Sequence, residues 1–404
     1  MLHSDIRVMQ LSAAYFGAQK QIEDAIHNRL KAAGIHNKVL YMVGDAKGAD
    51  YIGCERKLEG YIRRYCYKYL SKSHRFAKIQ TQRLIREIDR FKPDIFHIHS
   101  IHHGYVDFPV LFDYLGRKKI KVVYTVHDMW PFTGGCYHFT EIDCDGYLHG
   151  CRTCCDLQER HDCQISQAGK TYDIKLQSYK NLDKVFFVSV SGWVNQQLEK
   201  SSLNNYSHCI IPNCIVPTQM DSKDLTSFQE KIQKAIDGRY VLVFVASSWD
   251  KAKGYDTVCS LARQLGERYI LFVVGNASNR VKESAPSNMY FTGYLNDKAC
   301  LQYIYNVSDL HVSASKEETF GMTFVEAAFE GTKSVGYAET AIRETIQSVG
   351  GYCANTYEED SLLHTIMAHV NEGKLSDAEI ETIKRYYSAE TMADRYLRVY
   401  EKLL

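Results

Sequence analysis

No stretch of this 404-residue sequence approaches the roughly 18–20 consecutive apolar residues that a bilayer-crossing helix needs. Nor does it open like a secreted protein. The first apolar stretch, from Ile6 to Leu11, is broken by Arg7 and Gln10 and is far too short for the hydrophobic region of a signal peptide. The expectation is a soluble, cytoplasmic protein. A strong charge of either sign is also missing. The net charge is +1, so no global field draws the chain to nucleic acid, and no nucleic-acid-binding motif is present. Short internal repeats and low-complexity tracts are absent, so the chain is not a repeat array.

What is present is the composition of a globular protein. Charged residues make up 24%, close to the usual value of about 25%, so disorder does not dominate. With 45% hydrophobic residues the chain can bury two ordinary cores, at about 100–200 residues per domain. Cysteine is not scarce. Seven of the 13 cysteines are scattered, as small buried hydrophobes often are, and six crowd between Cys136 and Cys163. The crowd reads Cys136-x7-Cys144-x6-Cys151-x2-Cys154, then Cys155 and Cys163. In a reducing compartment four such thiolates suggest a structural zinc before a disulfide, with His138, His149 or His161 able to replace one ligand. Disulfides and reduced thiols are the alternatives.

Short β-branched or aromatic runs alternate with helical patterns. In the first half they are Ile6 to Leu11, Lys38 to Val43, Asp94 to His99, Lys121 to Val126, Lys184 to Val190 and Cys209 to Ile211. A helix is expected from Gln19 to Ala33, closed by Gly34. After a polar junction the pattern restarts with Tyr240 to Ala246, a helix from Asp256 to Leu265, then Tyr269 to Val274, Met289 to Phe291, Leu310 to Ser313 and Lys333 to Gly336. Strands separated by helices imply βαβ units and parallel sheets. The expected division is residues 1–211 and 212–388. A last helix at 389–404, apolar at Met392, Tyr396, Val399 and Leu403, packs on its own domain or crosses back to the first. Ligands of such sheets bind beyond the carboxyl ends of the strands, and two such edges can face each other across a cleft.

The segment from Ser315 to Gly331 follows a strand and opens a helix. It carries two glutamates, Glu318 and Glu326, separated by seven residues. The amides of Phe320 to Thr323, with Gly321 and Met322 among them, stand at the helix N-terminus, where the dipole favours a phosphate or a developing oxyanion. Carboxylates on either side can accept hydrogen bonds from sugar hydroxyls. Glu318-x7-Glu326 with Phe320-Gly321 inside it resembles the signature of retaining GT-B glycosyltransferases of glycosyltransferase family 4. The resemblance implies two Rossmann-like doubly wound α/β domains facing a cleft. It also implies that Glu318 contacts the donor sugar near its anomeric carbon and that Glu326 binds the nucleotide ribose.

A second matching segment runs from Ala246 to Gly254. Family members hold the donor diphosphate with an arginine followed by Lys-Gly. Lys253 matches the lysine, but the arginine position falls at Ser247 or Ser248. Lys251 is the available substitute, and a lysine lacks the bidentate fork of arginine. Gly275, Tyr294 and Leu295 sit where the family lines the nucleotide. In the first half, His127 matches a histidine that faces donor sugar and acceptor. Asp128 and the following Met129 to Cys136 resemble a subgroup from bacterial polysaccharide gene clusters, and the cysteines belong to that resemblance. His97 and His99 share one strand face; His102 and His103 lie in the loop after it and are read, with Gly17 and Asp128, as acceptor-side residues.

The resemblance thus implies a hexosyltransferase-like enzyme. It would move a sugar from a UDP- or GDP-sugar to a glycan or lipid-linked saccharide, with retention, in polysaccharide biosynthesis. No cofactor is expected for catalysis. Glu318 and His127 would position the sugar. From Tyr61 to Lys92 ten Lys and Arg stand against two acids, with Tyr61, Tyr65, Tyr67 and Tyr69 interleaved. Such a face suits peripheral contact with an anionic membrane, at its inner side for a cytoplasmic protein. The competing readings are a nucleotide-sugar epimerase or hydrolase on the same architecture, and a non-catalytic interaction protein built around the zinc loop.

Overall fold

The computed structural model describes residues 5–70, 74–154, 167–217, 225–249 and 253–404. The chain forms two compact units. One runs up to Cys214 and takes back Ala389–Leu404; the other is Ile215–Ser388.

The first unit holds β1 (Arg7–Tyr15), α1 (Gly17–Ala32), β2 (His36–Gly44), β3 (Tyr51–Gly53), α2 (Lys57–Tyr65), α3 (Lys78–Phe91), β4 (Ile95–Ser100), α4 (Phe108–Arg117), β5 (Lys121–Val126), α5 (Ala168–Lys180), β6 (Val185–Ser189), α6 (Gly192–Lys200) and β7 (Ser207–Ile210). The strands form one parallel sheet in the order β3-β2-β1-β4-β5-β6-β7. Every residue of β4 and β6 is buried, as a parallel strand covered on both faces requires. α1 ends where Gly34 takes φ +73° and the Ile35 amide donates back to the Leu30 carbonyl at 2.9 Å.

The second unit holds α7 (Leu225–Ile236), β8 (Tyr240–Ser248), α8 (Tyr255–Leu265), β9 (Tyr269–Asn276), α9 (Asn279–Glu283), β10 (Met289–Gly293), α10 (Lys298–Val307), β11 (Leu310–Val312), α11 (Met322–Phe329), β12 (Ser334–Tyr337), α12 (Thr340–Ser348), β13 (Tyr352–Ala354), α13 (Glu359–His369) and α14 (Asp377–Tyr386). Its sheet is also parallel, in the order β10-β9-β8-β11-β12-β13. Both sheets are Rossmann-like α/β sheets. In each, the order reverses once, between β1 and β4 and between β8 and β11, and the carboxyl ends of those strands frame the place where such sheets take ligands.

The last helix, α15 (Ala389–Leu403), belongs to the first unit. Its apolar stripe, Met392, Tyr396, Val399 and Leu403, is buried with Ile22, Ile26 and Leu30 of α1. Each such side chain contributes about 1.5–3 kcal/mol when taken out of water. Arg29 and Asp394 close the seam at 2.6 Å. No helix among the described residues is long and apolar enough to cross a membrane.

Candidate active site

Beyond the carboxyl ends of β1, β4 and β5 the first unit contains a cavity of about 660 Å³. Ala13, Ala14 and Phe16 come from the end of β1, Ser100, His102 and His103 from β4 and the turn after it, and His127 and Asp128 from the end of β5. Arg63, Arg64 and Tyr67 enter from α2 and the turn that follows. The wall takes in Phe16 and Gln19 but not Gly17, which opens α1 at φ +62°. Asp128 accepts from the Trp130 amide at 2.9 Å, and its other oxygen lies 3.5 Å from His102 Nε2. His103 Nδ1 pairs with the Tyr137 hydroxyl at 2.9 Å.

Arg63 holds this turn in place, and nothing in the sequence beyond its membership of a basic run singles it out. It is buried, pairs with Glu55 at 2.6 Å, and donates to the His103 and Gly104 carbonyls at 3.2 and 3.4 Å. Gly104, at φ +62°, is required there: a Cβ would sit 2.4 Å from the Tyr67 ring.

His97, His99 and His127 are neutral at physiological pH, because burial disfavours the charged ring. It lowers the pKa of His127 to about 4 and holds His97 and His99 well below the usual value. His102 is lowered in the same way, against the pull of Asp128. His97 and His99 share one face of β4 with ring centroids 4.0 Å apart. They do not reach the cavity wall. His97 bonds Tyr400 of α15 and Thr125 of β5 at 2.7 and 2.8 Å, and His99 reaches His127 at 3.3 Å.

Of the cysteine cluster, Cys136 and Cys151 are buried and Cys144 and Cys154 half-buried. Cys151 Sγ accepts from the Gly134 amide at 3.1 Å. Among the described residues no three His, Cys, Asp or Glu side chains are grouped to hold a metal ion. Cys155, Cys163 and His161 lie outside the described residues. The sequence also contains an Asp-x-Asp triplet, Asp143-Cys144-Asp145, in the same loop; Asp145 lies 3.8 Å from His149.

In the second unit the loops after β8 and β11 come together. Gly254 takes φ +72°, and a Cβ there would lie 2.5 Å from the Ala314 carbonyl oxygen. This close approach brings Lys253 Nζ to 2.7 Å from Glu318 Oε1. Glu318 stands in the loop before α11, its amide donating to Thr340 Oγ1 at 3.3 Å. Gly321 caps α11 at φ +85°, with Met322 the first helical residue. The Phe320 ring is buried against Tyr387, so any ligand contact by Phe320 falls to its backbone. Glu326 accepts from the Tyr305 hydroxyl at 3.3 Å, and burial raises its pKa.

Gly275, next to the last residue of β9, takes φ +128°, and a Cβ would lie 1.9 Å from the Ala246 carbonyl oxygen. Trp249 secures the same corner, its indole donating to the Val274 carbonyl at 3.0 Å. Ser248 is exposed at the end of β8, Tyr294 is exposed after β10, and Leu295 packs at the edge of the core. Lys251 lies outside the described residues.

Residues 24–218 match the family described as Glycosyltransferase Family 4, and residues 226–386 match Glycosyl transferases group 1. Over 326 residues the chain is 24% identical to an Escherichia coli (strain K12) protein named for glycosyl transfer in colanic acid biosynthesis, WcaC, with 77% of each covered. Sucrose-phosphate synthase of Thermosynechococcus elongatus shares the fold with a TM-score of 0.67 at 14% identity, over 98% of this chain and 99% of that one. Anabaena HepE, in complex with UDP-glucose, does so at 0.66 and 14%, over 98% and 100%. With these matches and its paired Rossmann-like sheets, the protein is a glycosyltransferase. Its type is that of the GT-B enzymes of group 1 and family 4.

Proposed function

We propose that this glycosyltransferase moves a sugar from a UDP- or GDP-sugar to a saccharide or lipid-linked saccharide, with retention of configuration, in polysaccharide biosynthesis. The observation that carries the donor reading is the Lys253–Glu318 pair, set before the N-terminus of α11 at the point where the second sheet's order reverses. A departing nucleoside diphosphate needs a cation and aligned amides, which Lys253 and the start of α11 supply. Glu318 takes donor-sugar hydroxyls, and Glu326 takes the ribose. His127, in the first unit's cavity, takes a substrate hydroxyl. HepE's complex with UDP-glucose supports a nucleotide-sugar donor, and WcaC's name supports a polysaccharide product.

Thermal unfolding with UDP, GDP, ADP and CMP tests the donor. A nucleotide at about 100 times its Kd is expected to stabilise the protein by about 2.7 kcal/mol, and Lys253→Ala to remove that shift. No shift with any nucleotide at millimolar concentration overturns the donor assignment.

The acceptor reading includes a membrane. Leu58, Tyr61, Ile62, Tyr65, Tyr69 and Ile79 are all exposed, a concentration of large apolar side chains in one short segment. Arg56, Lys57, Arg64, Arg75 and Lys78 are exposed beside them. Apolar side chains for the acyl boundary and cations for anionic headgroups make an interfacial face. The same segment turns Arg63, Arg64 and Tyr67 toward the cavity, so an acceptor held by its lipid would arrive at the cavity wall. Co-sedimentation is expected with vesicles containing about 30% phosphatidylglycerol, weaker with phosphatidylcholine alone, and at least tenfold weaker for Leu58→Ser/Ile62→Ser. Equal binding by that variant would sink the membrane face.

We also propose a structural zinc in the cysteine loop, on the spacing from Cys136 to Cys154. Elemental analysis of the purified chain is expected to find about one zinc per molecule, as a single closed site demands; a value near zero rejects it.

A further inference from the structure

A buried polar chain runs beneath the first unit's cavity, and its hydrogen-bond directions can be worked out atom by atom. It begins at Gln10 of β1, which is fully buried. Gln10 Nε2 donates to the Glu23 carbonyl of α1 at 3.3 Å. That carbonyl decides which end of the amide faces it, because two oxygens would repel there. Gln10 Oε1 is therefore the atom that lies 3.1 Å from His99 Nε2. An amide oxygen only accepts, so His99 carries its proton on Nε2. His99 is buried and neutral, which leaves Nδ1 with a lone pair.

His99 Nδ1 lies 3.3 Å from His127 Nε2. Two lone pairs cannot share that contact, so His127 Nε2 is the donor. His127 is also neutral, and its Nδ1 then bears a lone pair. Its ionisable neighbours are His99, His97, His102 and Asp128. Among the described residues none bonds His127 Nδ1, and His127 lines the cavity.

We propose that Gln10 and His99 are positioning residues that fix His127 as its Nε2–H tautomer, so that His127 meets a ligand through Nδ1, as an acceptor for a hydroxyl hydrogen. The identity of that hydroxyl, a sugar's, rests on the transferase reading above; the tautomer does not. A histidine pinned in this way cannot donate to a substrate carbonyl or phosphate through Nδ1. It selects a polyol and needs no rearrangement when the polyol arrives.

The test is long-range proton–nitrogen correlation NMR on the full chain labelled with 15N-histidine, at pH 7. The His127 signals are assigned by their loss in His127→Asn. The expected pattern is a protonated Nε2 and an unprotonated Nδ1. A proton on Nδ1, or an even mixture, would overturn the proposal. Gln10→Met keeps the volume and removes the amide. It is expected to release a mixture of tautomers and to lower kcat about tenfold, while nucleotide-induced thermal shifts stay as in the wild type. An unchanged single tautomer in folded Gln10→Met overturns the positioning role. If Gln10→Met does not fold, the wild-type spectrum alone decides. If no nucleotide sugar supports turnover, the transferase details fail while the tautomer measurement still stands.

Discussion

Glu318→Ala is expected to lower the rate of sugar transfer by about 10²–10³-fold while leaving the protein folded, an effect of the size seen when a preorganised transition-state contact is removed. The loop does not depend on the carboxylate for its shape. The Glu318 amide donates to Thr340, and its carbonyl accepts from the Ala341 amide at 3.3 Å, so α12 holds the backbone whatever the side chain. The Lys253–Glu318 pair is partly exposed, with side-chain exposures of 37% and 26%, so its loss costs stability no more than about 1 kcal/mol. Nucleotide affinity should hold or rise, because Lys253 no longer shares its charge with a carboxylate. A variant that binds nucleotide like the wild type and fails in turnover separates positioning from binding. Product formation from the nucleotide sugar that gives the thermal shift is the measurement. Wild-type kcat in Glu318→Ala would remove Glu318 from the mechanism.

The second large effect is acid destabilisation of the first unit. His127 takes a proton near pH 4 when folded, whereas an unperturbed histidine does so near 6.5. Between those values the unfolded chain binds the proton and the folded chain does not, so stability falls as pH falls through that window. For His127 alone the loss is about 3 kcal/mol at full extent, and His97 and His99 act in the same direction. Buried Glu23 works the other way. Its pKa is raised, so it favours the folded state in acid and loses that contribution as pH rises. In that window the unfolded chain can bind up to four protons on His97, His99, His102 and His127 that the folded chain leaves off, against the one that folded Glu23 keeps. The first unit's unfolding transition is expected to drop in temperature from pH 6.5 to 4.5, and His127→Asn to flatten the drop. A midpoint that holds or rises over that range contradicts the neutral-histidine core.

Much of the scaffold was legible because fully buried parallel strands read as apolar, β-branched runs; Lys121–Val126 has the same bounds in sequence and structure. β3 and β13 escaped because their three residues each are mostly half-buried or exposed, whereas the equally short β11 is buried throughout. The amphipathic stripe of α15 was visible, but which core it fills depends on packing that no local pattern encodes. At the site, the loop position of Glu318 and the helical position of Glu326 followed from the strand-to-helix boundary. The Lys253–Glu318 contact did not, since it joins residues 65 apart through the left-handed turn at Gly254. His97 and His99 could be placed on one face by their alternation. That this face is turned away from the cavity, toward α15 and Gln10, required the sheet order. Arg63 was hidden in a run of basic residues, because its burial, its ion pair with Glu55 and its bonds to the His103 and Gly104 carbonyls are tertiary features that no local pattern shows.

The position of α15 fixes the order in which the chain can mature during synthesis. Tyr400 reaches His97 across 303 residues of sequence, and Met392, Tyr396, Val399 and Leu403 complete a core begun by β1 and α1. A ribosome therefore emits every strand of the first unit long before that unit can close. The stretch Ile215–Ser388 has all its partners in one continuous run and is able to fold while the earlier sheet still waits for its last helix. Of the two units, the one translated first is finished last.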